Sequence, residues 1–187
     1  MTPDNSVILV GMPGAGKSTI GILLAKELAK DFIDTDLLIQ LQQGKTLQDI
    51  IEEQDYLALR KIEEGILLGM AHRNHVIATG GSAVYSNTGM THLKTMGSVI
   101  FLDVPMNELL HRIGNYESRG IARRADQSFT DLFAERRNLY REFADTIIDC
   151  AGKKPAQIVG EIKLWLAEQD RTKTRSRKKA EWPCNRP

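Results

Sequence analysis

Near the N-terminus, Gly11-Met12-Pro13-Gly14-Ala15-Gly16-Lys17-Ser18 fits the spacing G-x-x-x-x-G-K-[ST], with Thr19 directly behind it. Residues of these types in this order hold phosphates. Glycines let consecutive backbone N–H groups turn inward around phosphate oxygens, and a helix starting just after them aims the positive end of its dipole at the same place. Lys17 can then reach the β- and γ-phosphates, while Ser18 offers a hydroxyl to a Mg²⁺ that bridges them. Gly11, Gly14, Ala15, Gly16, Lys17, Ser18 and Thr19 are therefore expected to cradle ATP with Mg²⁺. The loop alone says only that a nucleoside triphosphate binds, because kinases, GTPases and motors share it.

An acceptor site must come from other residues. Phe32-Ile33-Asp34-Thr35-Asp36 reads as the end of a strand, whose carboxylates would project at the carboxyl edge of a sheet beside the phosphate loop. Two acids one residue apart can divide the work: Asp34 would hold a water of the metal, and Asp36 would align the acceptor hydroxyl and take its proton. Taken alone, the same triplet fits a solvated turn equally well. Gly80 and Gly81 follow another apolar run, where the missing Cβ would admit substrate or phosphate close to the backbone, or would simply allow a tight turn. Residues 114–127 hold Arg119, Arg123 and Arg124 with little apolar periodicity. They read as an exposed, mobile lid whose Arg119 swings over the triphosphate.

These residues need a frame, and the chain supplies one by alternating short Val/Ile-rich runs with longer segments of helical period. Strands are predicted at 6–10, 32–34, 75–79, 98–103 and 146–150. Most lack strict alternation, which suits a parallel sheet covered on both faces, the middle layer of a three-layer α/β fold. Helices are predicted at 17–30, from a cap at Thr46, and at 56–70, 106–113, 128–143 and 155–167. One domain, 1–168, is expected, followed by a basic tail, 169–187, too polar to pack and therefore predicted to be disordered.

Lys and Arg number 25 against 24 Asp and Glu, so no overall field draws in a polyanion. Neither a nucleic acid nor a membrane partner is expected, despite the run RTKTRSRKK at 171–179. No signal peptide and no apolar run of membrane-spanning length is visible, and the expected setting is the cytoplasm. Cys150 and Cys184 make neither a disulfide framework nor a CxxC motif. Asp103, ending VIFLD, fits the pattern of a metal-binding strand acid, but in element order Asp34 is the better candidate.

The phosphate loop GMPGAGKST, then FIDTD, then Leu59-Arg60, then ATGG after a further strand, resembles the shikimate kinase family in order and spacing. Glu135-Arg136-Arg137-Asn138-Leu139-Tyr140 is similar to its ERxPLY helix. The resemblance spans residues 6 to about 165 and implies sheet order 2-3-1-4-5 and a small hydroxy acid as partner; a monomer is expected. Asp36 would grip the hydroxyls, with Gly80 and Gly81 alongside, while Arg60 and Arg136 clamp a carboxylate. Guanidinium forks suit that task because they bind carboxylates bidentately. Arg112 and the turn at Lys153 would flank adenine, and Arg119 would be the lid arginine.

Four departures surround the acceptor pocket. The family's GGG appears as Gly80-Gly81-Ser82, its RPLL as Arg119-Gly120-Ile121-Ala122, and two expected Phe positions as Ile51 and Leu59. Such changes shift specificity more readily than chemistry. Phosphorylation of shikimate is the leading expectation. A kinase for another hydroxy acid or a nucleoside monophosphate, or a nucleotide-binding switch without transfer activity, are the alternatives.

Overall fold

The computed structural model describes residues 5–113, 120–124 and 126–180, with side chains up to residue 172. Five strands form one parallel sheet: β1 (Ser6–Val10), β2 (Asp31–Asp34), β3 (His75–Ala78), β4 (Gly97–Asp103) and β5 (Thr146–Asp149), in the order β2-β3-β1-β4-β5. All five residues of β1 are buried, as its unbroken SVILV run requires of a central strand. The chain leaves β1 toward β3 on one side and β4 on the other, and this reversal opens a crevice at the carboxyl ends of the strands. The phosphate loop follows β1, Asp34 ends β2 and Gly80 lies just past β3, so the sheet delivers all three to that crevice.

Helices α1 (Lys17–Leu28), α3 (Leu47–Glu53), α4 (Tyr56–Gly69), α6 (Met106–Ile113) and α7 (Phe129–Phe143) stand where the sequence predicts helices. Thr46 and Asp49 form a reciprocal capping box on α3, and Ser128 caps α7 through the Asp131 amide. Helices α2 (Thr35–Gln43) and α5 (Asn87–Met96) were not predicted. The first begins inside the acidic triplet, with Asp34 as its cap, and leaves Leu37 and Leu41 exposed, which blurs its apolar stripe. The second, NTGMTHLKTM, has poor helix formers. It is held by the Ser86 cap on the Gly89 amide and by close packing of Gly89 on Leu67.

Two further expectations need correction. Helix α8 (Pro155–Ala180) does not stop at residue 167 but runs on through the first part of the segment predicted to be disordered. Beyond residue 167 its Gln, Glu, Lys, Arg and Ala residues are good helix formers, and neither Gly nor Pro occurs between 168 and 182. The described part of the lid is exposed only in part: Arg124 and Asp126 are exposed, but Gly120, Ile121, Ala122 and Gln127 are buried. Ala122 joins Ile39, Ile50 and Leu59 in a small apolar cluster separate from the main core, and the Gly120 amide donates to Gln48 Oε1 (2.8 Å). This cluster ties the acceptor side of the crevice to α2, α3 and α4. Among the described residues no helix is long and apolar enough to cross a membrane.

Candidate active site

Gly14 and Gly16 adopt left-handed backbone angles, φ 79° and 88°. At Gly14 a Cβ would also lie 2.6 Å from Ile113, so only glycine lets the loop pass beneath α6. Lys17 Nζ donates to the Gly11 and Met12 carbonyls (2.7 and 2.9 Å), which folds its side chain back along the loop. Burial lowers the Lys17 pKa to about 8, with Asp36 and then Asp34 opposing the shift. An ammonium held in this way gains from an incoming anion. Ser18 Oγ donates to Asp34 Oδ2 at 2.6 Å, while Asp34 Oδ1 accepts from the Asp36 and Leu37 amides at the start of α2. One Asp34 oxygen is thus fixed by the helix and the other faces Ser18.

Asp36 lines a pocket together with Lys17, Gly81, Ser82, Ala122 and Arg136. Burial pushes the Asp36 carboxyl above its usual range against the pull of Lys17. Gly80 comes so near the Asp36 and Glu63 carboxylates that a Cβ there would overlap both, and its amide donates to Thr35 Oγ1 (2.8 Å). Tyr140, at the end of the ERRNLY segment, donates its hydroxyl to the Gly81 carbonyl (2.6 Å), which fixes the glycine turn against α7.

Arg60 and Arg136 converge. Each sends an NH2 group to the same Ala122 carbonyl, at 3.3 and 2.6 Å, although they lie on α4 and α7. Arg136 is 1% exposed, which excludes a solvated surface charge. Arg112 pairs with Glu108 Oε2 (2.8 Å), and Glu108 Oε1 accepts from the Gly152 amide (2.8 Å). One carboxylate therefore joins α6 to the turn preceding Lys153. Lys153 Nζ itself bonds to Glu161 (2.8 Å). Asp103 is held by Arg137 through three contacts of 3.0, 3.2 and 2.8 Å, so its carboxylate is engaged in an ion pair. Arg119 lies outside the described residues.

Several site residues were missed in the sequence. Glu63, 2% exposed, sits between buried Leu59 and Leu67 on α4, and an acid in the apolar row of a helix is the signal that could have found it. Ser82 donates its hydroxyl to Glu63 Oε2, and Glu63 Oε1 has no partner among the described residues. Burial and then Asp36 raise the Glu63 pKa to about 7. Between about 4.5 and 7 the folded protein therefore keeps a proton that the unfolded chain has released. The resulting stability is full at acid pH and is lost as pH rises through about 7. Replacing Glu63 with Gln should flatten the fall in melting temperature between pH 5 and 7.5, with a gain above pH 7 of at most about 3 kcal/mol. Thermal melts of the ligand-free protein across that range test this, and an unchanged slope in the variant would refute it.

A family model described as shikimate kinase matches residues 13–167. The shikimate kinase of Sulfurihydrogenibium sp. is 35% identical over 158 residues, 84% of this chain and 95% of that protein. That of Clostridium botulinum is 37% identical over 161 residues, with coverage of 85% and 95%. Among solved structures, shikimate kinase from Acinetobacter baumannii in complex with shikimate superposes with a TM-score of 0.82 at 29% identity, over 88% of this chain and 94% of that one.

Proposed function

The chain belongs to the shikimate kinase family, a phosphotransferase family acting on a small molecule, and we propose that it transfers the γ-phosphoryl group of ATP to the 3-hydroxyl of shikimate. The observation that carries this reading is the meeting of the Arg60 and Arg136 guanidiniums at one carbonyl oxygen, in the crevice that also holds Asp36 and Lys17. Two cationic forks aimed at one oxygen are what a carboxylate needs, and a nucleotide switch has no use for them. In this reading the Ala122 carbonyl stands where an acceptor carboxylate oxygen would bind. Asp36, beside the phosphate loop, accepts a hydrogen bond from the attacking hydroxyl and receives its proton. The Gly80–Gly81 turn brings bare backbone against the ring.

Gly11, Gly14, Ala15, Gly16 and Thr19 line the phosphates, and Lys17 offsets charge on the β,γ-bridge and the transferred group. Adenine lies between Arg112 and the Lys153 turn. Ser18 and Asp34 provide a hydroxyl and a carboxylate 2.6 Å apart, hard oxygen donors of the kind Mg²⁺ prefers, and the ion supplies neutralisation of phosphate charge when bound. Arg119 is proposed to add positive charge from the lid, the segment near 114–127. A monomer is proposed as the working unit.

The test is coupled detection of ADP release over a panel of shikimate, other hydroxy acids and nucleoside monophosphates. Turnover confined to shikimate is expected. Turnover of another acceptor with none on shikimate would reassign the pocket, and ATP binding without turnover of any acceptor would favour a switch.

A further inference from the structure

Two arginines that clamp one anion face a problem before the anion arrives, since like charges repel and buried guanidiniums recruit carboxylates. A carboxylate partner would occupy the N–H groups that substrate needs. Among the described residues neither Arg60 nor Arg136 has an acid within ion-pair distance. Arg60 rests instead on an aromatic face, with its guanidinium carbon 3.4 Å from the Tyr85 ring centroid and 5.1 Å from that of Tyr56. The Arg136 guanidinium carbon is 5.4 Å from the same Tyr85 ring.

We propose that Tyr85 is the positioning residue of the acceptor-carboxylate clamp: its ring face orients the Arg60 guanidinium and spaces it from Arg136 while leaving their N–H donors free for substrate. An aromatic face suits this role because it attracts a guanidinium through the ring quadrupole and makes no demand on the in-plane donors. Tyr85 is held for the task. It lies in the 3-10 turn Ala83–Tyr85, directly after Gly80-Gly81-Ser82, so the segment that shapes the pocket floor also carries the ring. Its hydroxyl is buried without a hydrogen-bond partner among the described residues, so the ring face is what Tyr85 offers to the clamp. The aromatic wall that Ile51 and Leu59 do not supply is thus replaced by a ring acting on the clamp.

This inference rests on the shikimate reading, and the experiment separates the two. Steady-state kinetics would be measured for Tyr85→Leu, Tyr85→Phe and Arg60→Ala, with shikimate and with its neutral methyl ester. Tyr85→Leu should raise KM for shikimate about tenfold. It should leave KM for ATP within about twofold and kcat within about threefold, and barely alter turnover of the ester, which does not engage the clamp. Tyr85→Phe keeps the ring face and should behave as the parent. If Arg60→Ala weakens shikimate but Tyr85→Leu does not, or if Tyr85→Leu impairs acid and ester alike, the role assigned to Tyr85 is wrong. If Arg60→Ala itself leaves the shikimate KM untouched, the clamp reading falls first. Should Tyr85→Leu not fold, Tyr85→Met poses the same question with a side chain of greater reach.

Discussion

Replacing Asp36 with Asn is expected to lower kcat by about three orders of magnitude while ATP affinity stays within about threefold. The substitution keeps the shape of the side chain and removes its ability to take a proton. Asp36 is the acid of its pair left free for this task, because Asp34 is committed to capping α2 and to Ser18. Loss of the charge costs the fold little, since burial already works against the ionised form. The small change in ATP affinity follows from Lys17, whose charge Asp36 helps to sustain. Rapid-quench single-turnover measurements with shikimate, beside direct titration of ATP, check both halves. A variant that keeps more than about a tenth of the parent rate would show that Asp36 only aligns the hydroxyl.

How far the site could be read in the sequence depends on whether its parts are local. The phosphate loop is legible because one short segment, glycine spacing included, makes the whole cradle, and the strand before it and helix after it are equally plain. Asp34 and Asp36 are legible as a pair, yet their division of labour emerges only when α2 takes one of them as its cap. Arg60 and Arg136 lie 76 positions apart by their numbers, and only the resemblance links them before the helices bring them to one oxygen. Three contributions leave weaker traces. The Ala122 carbonyl is backbone, which any residue could supply; the stack of Tyr85 on Arg60 is a packing outcome; and Glu63 reads as an ordinary helix glutamate unless its burial is known. Helix α5 is missed for a related reason, because packing against Leu67 overrides poor propensity.

Replacing Lys17 with Met should yield a protein that is more stable without ligand and nearly inactive. The stability half follows from burial: Lys17 is 8% exposed and its pKa falls from 10.5 to about 8, so at pH 7 the folded state carries an ammonium that it disfavours. Because the folded pKa is depressed, stability linked to this group is absent below about pH 8 and grows as pH rises from there toward 10.5. Methionine fills similar space without the charge. At pH 7 the gain should approach about 3 kcal/mol, less what is lost with the hydrogen bonds to the Gly11 and Met12 carbonyls.

The catalytic half runs the other way, because a cation destabilised in the empty loop is the one best satisfied by phosphate oxygens. Its removal should lower kcat by about three orders of magnitude and also weaken ATP, which distinguishes it from Asp36→Asn. In the parent enzyme the same lysine predicts that kcat/KM for ATP declines above about pH 8, where the free enzyme loses the proton. In the same range kcat should hold, because bound phosphate keeps the ammonium charged. Thermal melts and pH-rate profiles of parent and variant test these together. A Lys17→Met protein that melts earlier than the parent at pH 7 would mean that the ammonium is a structural tie within the loop rather than a charge held ready for ATP.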